Sequence, residues 1–238
     1  MFYLLLIFAT ASGAWAAHLA LIQAPADAMQ GNVQRIFYFH VPLVWVSFLA
    51  FVGGAVMSLD SNLREGLLTL NLNLSEDQIS AVLQYQGLIA KWNKVYNLTA
   101  IRDEQDMLYS HLLDSLAVVN PLKTVLSNRG EPHPRVLDVG SGAGLPGVIL
   151  AICLPEVEVT CVDTVGKKAA FIQQVALGLG LRNLKAVHAR VETLTSGDWD
   201  VVCSRAFASL VDFTRWSSAA LKPNGLWMAM KGKHPSDE

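Results

Sequence analysis

With 238 residues the chain is long enough for one or two domains and a sizeable buried core. Its 18 Lys+Arg against 20 Asp+Glu, a net charge of −2, exclude the broad basic surface of a generic nucleic-acid binder, so any RNA contact has to come from a local patch. The mean hydropathy of +0.35 is high for a water-soluble enzyme, and the apolar excess sits at the front, where residues 1–59 carry only Asp27 and Arg35 as charges. That shift in composition sets a domain boundary near Asp60–Glu65. Cys153, Cys161 and Cys203 lie in apolar runs with no CxxC spacing, which reads as three buried, reduced thiols in a reducing compartment.

Residues 2–22 and 36–59 are two uncharged stretches, each about long enough to cross a ~30 Å hydrocarbon core. Pro25, Asp27, Gly31 and Asn32 punctuate the link between them. The expectation for 1–59 is a two-helix transmembrane hairpin with both ends on one side of the bilayer. A cleaved signal peptide is the competing reading, because "SGAWAA" offers small residues, but a positive leading segment is missing. The stretch "QGNVQRIFYFHVPLVW" (30–45) resembles the haem-handling cytochrome c assembly family of CcmC/CcsA type. There a histidine matching His40 is associated with haem. The resemblance stops near residue 59, without the family's later helices or its tryptophan-rich loop, so haem is not expected as a partner.

From Asp60 the chain turns amphipathic. Ser75 with Gln78 forms a capping box for a helix over 75–96, whose apolar face is Ile79, Val82, Leu83, Leu88, Ile89, Trp92 and Val95. Asp103 caps a second helix carrying Met107, Leu108, Leu112, Leu116 and Val119, with a stop at Asn120–Pro121. Residues 60–122 thus read as a helical layer. Lys91, Lys94 and Arg102 with Trp92, Tyr96 and Asn97 mix cations and aromatics in the manner of a phosphate-and-base surface; a solvated helix face is the alternative.

Residues 123–238 alternate strand and helix. "RVLDVG" (135–140) leads through a glycine loop to a helix at 145–154, with Pro146 in its first turn. Strands follow at 156–163, 183–192, 200–207 and 225–232, with a helix at 166–180. The pattern is that of a doubly wound α/β sheet, whose ligands lie at the carboxyl ends of the strands. Gly142-x-Gly144-x-x-Gly147 also fits a dinucleotide fingerprint, which leaves a nicotinamide oxidoreductase open. Asp138, immediately before Gly140, Gly142 and Gly144, favours S-adenosylmethionine. A carboxylate there would repel a pyrophosphate by about 1 kcal/mol even in bulk water at 4 Å. It suits a ligand bearing an ammonium and a sulfonium. Asp163, closing the second strand, is placed to accept from two ribose hydroxyls.

The segments "KWNKVYNLTAI" (91–101), "HLLDSL" (111–116), "LDVGSGAGLPG" (137–147), "VDTVGKK" (162–168), "ARVE" (189–192) and "SRAFASL" (204–210) occur in an order and spacing that resembles the small-subunit (16S) ribosomal RNA guanine-N7 methyltransferase family of RsmG/GidB type. The match runs over about residues 64–232. It implies a Rossmann-like sheet binding S-adenosylmethionine, with 16S rRNA and the small ribosomal subunit as partners and the methyltransferase domain in the cytoplasm, tethered if the hairpin is retained. By the resemblance Asp138, Gly140, Gly142, Gly144, Leu145, Asp163, Val191, Glu192 and Arg205 contact the cofactor. Arg205, Asp114 and His111 stand at the reacting centre, and Lys91, Lys94, Asn97, Lys167 and Lys168 face RNA. Lys168 replaces the family's arginine, keeping the charge but losing the planar fork. An ion pair with Asp200 or Glu192 is the other reading of Arg205. No metal is expected. The family's sheet continues beyond the fifth strand, so the expectation for this domain is a sheet lacking its final strands.

Overall fold

The computed structural model describes residues 58–230 apart from Ala206 and Ala208. Residues 1–57, on which the expected membrane hairpin and His40 fall, lie outside the described residues. Among the described residues no helix is long and apolar enough to cross a membrane.

The helical layer opens with α1 (58–69) and α2 (Glu76–Tyr96). The capping box at Ser75 forms as expected: the hydroxyl accepts from Gln78 N–H at 3.2 Å, and Gln78 Oε1 accepts from Ser75 N–H at 3.0 Å. The buried stripe of α2 is Ile79, Val82, Tyr85, Gln86, Ile89 and Asn93. Val95, expected on this face, is 72% exposed, because two residues past Asn93 is about 200° round the helix. Helix α3 starts at Glu104 under the Asp103 cap, passes through one π turn (Leu108–Leu113) and ends at Leu116.

The stop expected at Asn120–Pro121 is instead the start of α4 (Val119–Arg129). Pro121 falls in the first turn, where its missing N–H costs no intrahelical bond. Asn120 Nδ2 donates to the carbonyls of Leu70 and Asn71 (3.2 and 3.1 Å), closing the end of α1. Helix α4 is continuous across residue 122, so the layer does not break at the expected boundary.

Five strands follow: β1 (Arg135–Val139), β2 (Glu158–Asp163), β3 (Leu184–His188), β4 (Trp199–Ser204) and β5 (Leu221–Ala229). All pair in parallel in the order β3-β2-β1-β4-β5. Helices α5 (Gly147–Cys153), α6 (Gly166–Gly178) and α7 (Leu210–Ser217) connect them. The order reverses between β1 and β4, which places the crevice of this fold beyond their carboxyl ends. The third strand ends at His188 rather than 192, because Val191–Thr193 coils into a 3₁₀ turn.

Alternate strand residues serve opposite faces of the sheet. Val136, Val159, Cys161, Val201 and Cys203 join the core beneath the helical layer, while Leu137, Val139, Val162 and Val202 pack with Phe213 of α7. The three cysteines are free and buried, as expected, and burial pushes the Cys153 thiol up to about 12. Gln78 also ties the layer to the sheet domain, since its Nε2 donates to Ile152 O at 2.9 Å near the end of α5.

Asp138 lies on the layer-side face, in register between Cys161 and Cys203, with no exposed surface. Its Oδ2 accepts from Gly147 N–H at 2.9 Å, supplying a polar partner at the N-terminus of the wholly buried α5, while Oδ1 has none. Burial raises its pKa from 3.8 to about 7, against the opposing pull of the Gly147 amide and the Arg205 charge. The folded state therefore keeps the proton to about pH 7, whereas the unfolded chain loses it near pH 3.8. This contribution to stability is complete below about pH 4 and is lost as pH rises through 7. At about 1.4 kcal/mol per unit the loss reaches up to about 4 kcal/mol. Asp138→Asn keeps an oxygen for Gly147 and removes the titration. The urea midpoint of wild type relative to that variant is expected to fall between pH 4 and 7, and a constant difference would contradict the assignment.

Candidate functional site

Beyond the carboxyl ends of β1, β2 and β4 the loops enclose a cleft of about 550 Å³. Gly140, Asp163, Val191 and Glu192, four of the residues expected around a cofactor, line it together, joined by Lys168, Phe207 and Trp216. Gly140 adopts φ +67°, and a Cβ there would meet no protein atom within 4 Å, so its backbone is open to close approach from the cleft side.

Asp163 is 7% exposed and binds the two loops that form the rim. Its Oδ2 accepts from Gly142 N–H at 2.9 Å and its Oδ1 from Val165 N–H at 2.8 Å. An ionised carboxylate has about four lone-pair directions, so two remain for donors in the cleft. A diol fits that need. Val191, Phe207 and Trp216 supply apolar and aromatic lining, and the Phe207 and Trp216 rings meet edge-on with centroids 5.5 Å apart. A carboxylate beside apolar and aromatic side chains suits an adenosine, and Lys168 and Arg190 add two cations to the lining.

Five expected cofactor contacts are not among the lining residues: Gly142, whose amide binds Asp163, Arg205, which joins His111 and Asp114, and three that are buried. Asp138 is sealed under the loop on the core face. Gly144 (φ +96°) and Leu145 are buried as well; a Cβ on Gly144 would run into Val148 and crowd Ile172. Their residue types shape the bend rather than line the cleft, because the chain dives into the core between Gly142 and Gly147. The loop is also held from outside: the Tyr85 hydroxyl of α2 donates to Ala143 O at 2.8 Å, wholly buried.

His111 and Asp114, neighbours on α3, come together with Arg205, which lies far along the chain. Arg205 Nη1 is 3.3 Å from His111 Nδ1 and 3.8 Å from Asp114 Oδ2. The π turn of α3 turns His111 inward while leaving Asp114 exposed, and such turns recur at functional sites. Burial, then the Arg205 charge, lowers the His111 pKa below 6.5, so the imidazole is neutral at pH 7. Thr99, in contact with His111 Nε2, completes the group. Arg205 makes neither of the other pairings considered for it. Asp200 instead takes Lys222 at 2.8 Å and Arg135 N–H at 2.9 Å, and Glu192 lies 3.9 Å from Arg190.

Of the expected RNA-facing residues, Lys168 turns into the cleft, Lys167 is exposed at the start of α6, and Lys91 and Lys94 are exposed on α2. Asn97 caps α2 in the left-handed conformation (φ 49°). Sequence reasoning passed over Tyr85, Thr99 and Trp216. Tyr85 was legible as the i+3 neighbour of Val82 on the buried stripe; nothing local marks the other two.

Residues 78–238 match the family model GidB, rRNA small subunit methyltransferase G. The chain is 62% identical over 182 residues to ribosomal RNA small subunit methyltransferase G of Polaromonas naphthalenivorans (strain CJ2), covering 76% of this chain and 82% of that protein. The protein of the same name from Acidovorax sp. (strain JS42) is 62% identical over 186 residues, with 76% and 82% covered. A third, from Methylibium petroleiphilum, is 53% identical over 181 residues, with 76% and 80% covered. None of these matches lends support to the resemblance of residues 30–45 to cytochrome c assembly proteins.

Tyr85→Phe removes one hydroxyl and leaves Ala143 O without its buried donor, at an expected cost of about 1–3 kcal/mol. Chemical denaturation should show that loss, and a variant as stable as wild type would mean that the layer does not hold the loop.

Proposed function

The chain belongs to the GidB family of rRNA small subunit methyltransferases, and on that premise we propose that it transfers the methyl group of S-adenosylmethionine to guanine N7 of 16S ribosomal RNA. The observation that carries the cofactor reading is the cleft at the sheet's switch point: Asp163 holds both rim loops and keeps two acceptor directions for the ribose hydroxyls. Val191 and Glu192 meet the adenine edge, and Gly140 lets its backbone approach the methionine end. Asp138, Gly142, Gly144 and Leu145 serve the same ligand at one remove, by setting the bend. When bound, the cofactor supplies an electrophilic methyl on a sulfonium.

Guanine N7 carries an in-plane lone pair and no proton at neutral pH, so the reaction needs no general base. The neutral His111 fits that requirement, and its role is to hold Arg205. The Arg205 guanidinium, kept between His111 Nδ1 and Asp114, is aimed at guanine O6 or a neighbouring phosphate. Aligning N7 with the methyl group is the main contribution such a site makes, worth up to roughly 7–11 kcal/mol in well-oriented systems. Lys91, Lys94, Asn97 and Lys167 engage the RNA strand, and Lys168, within the cleft, adds positive charge near the cofactor's rim. The reading makes residues 59–230 the methyltransferase domain, working in the cytoplasm. Residues 1–57, rich in uncharged stretches, tether it to a membrane. Fractionation of cells expressing the full chain tests the tether, and recovery wholly in the supernatant refutes it.

Calorimetric titration of the full chain with S-adenosylhomocysteine should give one site, with no response to NAD. Asp163→Ala should weaken it by about 10- to 100-fold, the worth of a charge-assisted hydrogen bond. Binding of NAD in place of S-adenosylhomocysteine would return the oxidoreductase reading. Arg205→Ala should lower methyl transfer to unmodified 16S rRNA by at least about 100-fold, the scale for loss of one positioned cation at a reacting centre. Unchanged transfer by a folded variant would remove Arg205 from the site.

A further inference from the structure

The face of α2 that turns away from the core carries a feature the methyl-transfer cleft does not use. Gly87, Ala90, Lys91 and Lys94 fall at i, i+3, i+4 and i+7, a single stripe along the helix. Opposite them stand Arg102 and the start of α3, and between the two is a hollow of about 410 Å³ that shares no lining residue with the cofactor cleft. Gly87, Ala90 and the buried Met107 give it a small and apolar part, beside the buried amide of Asn93. Its rim is cationic. Among the described residues Lys91, Lys94 and Arg102 form no ion pair, although Glu104 lines the same hollow. The side-chain bond Arg102 makes is a long one, 3.3 Å to Asn97 Oδ1.

Three cations against the one carboxylate of Glu104 leave the hollow with a surplus of positive charge that an entering anion would balance. In a chain of net charge −2 this is a concentrated local exception. The volume falls within the range of small-ligand clefts, large enough for one nucleotide.

We infer that this hollow is a seat for one nucleotide of the RNA substrate, its phosphate on Lys91, Lys94 and Arg102 and its sugar or base over Gly87, Ala90 and Met107. It rests on the reading of the chain as an rRNA methyltransferase and adds a second anchor, outside the cleft, that fixes the strand's direction of approach. Cations and an apolar part together distinguish this seat from a charged helix face, which would need no hollow.

Two variants of the full chain separate charge from space. Lys91→Ala/Lys94→Ala removes cations. Gly87→Leu keeps all three and fills the hollow; a Cβ at Gly87 meets no protein atom within 4 Å, and leucine favours the helix. Binding of an unmodified 16S rRNA transcript is measured by filter retention from about 50 to 200 mM salt. The double variant should bind at least about tenfold more weakly, with the log K against log salt slope reduced by about 0.7, the share of one phosphate contact. Gly87→Leu should also weaken binding, by about fivefold or more on the same scale of one lost phosphate contact. Both should bind S-adenosylhomocysteine as wild type does, which separates this site from the cleft. Unchanged RNA binding by the double variant overturns the seat. So does weakening by the double variant alone, which would mean that the cations act at a distance over a hollow nothing enters. Variants that bind the transcript normally yet lose the assembled small subunit would assign the hollow to a ribosomal protein, and also overturn it. Failure of wild type to bind S-adenosylhomocysteine would fault the methyltransferase reading instead.

Discussion

The cleft depends on one carboxylate. Asp163 ends β2 and accepts one amide from the glycine loop after β1 and another from its own following turn, so that two loops from adjacent strands share a single fixed point. Each bond to an ionised acceptor is stronger than a neutral one, and both are shielded from water at 7% exposure. Moving Asp163 would move the floor and the rim together. The geometry that shapes the cleft is thus the geometry that closes the loop.

Asp138 has the opposite role in the neighbouring strand. It stands near the end of β1 as Asp163 ends β2, but its side chain faces the core, and its partner is the first amide of α5. Of the two acids, only Asp163 reaches the cleft with acceptor capacity left for a ligand. A buried, half-satisfied carboxyl is costly. It is retained where a helix made wholly of Gly, Val, Ile, Leu, Ala and Cys has no polar side chain of its own to meet its leading amides.

The helical layer supplies what the sheet lacks. Gln78 reaches the end of α5, Tyr85 holds the loop from behind, and the π turn of α3 carries His111 to Arg205. In this arrangement the His111–Asp114–Arg205 group is assembled from a helix before the sheet and a loop after its fourth strand. The layer also carries the exposed Lys91 and Lys94, on the helix before the one whose His111 meets Arg205.

Much of this was legible in one dimension. The Ser75–Gln78 cap, the strand–helix alternation, the glycine bend and the acid closing β2 are local patterns, set by spacing along the chain, and the structure has them where those patterns put them. Local patterns could not say which way Asp138 points. A strand residue faces one side of the sheet or the other according to register, and that was settled by pairing with Cys161 and Cys203. Nor could they foresee that Asn120–Pro121 begins a helix, because the benefit lies in Asn120 reaching the carbonyls of Leu70 and Asn71, fifty residues away. Spacing along the chain set most of the elements and the chemistry available at their ends. Only the tertiary structure decided which of those groups meet, since contacts such as Tyr85 with Ala143, or His111 with Arg205, have no energy until the intervening chain has packed.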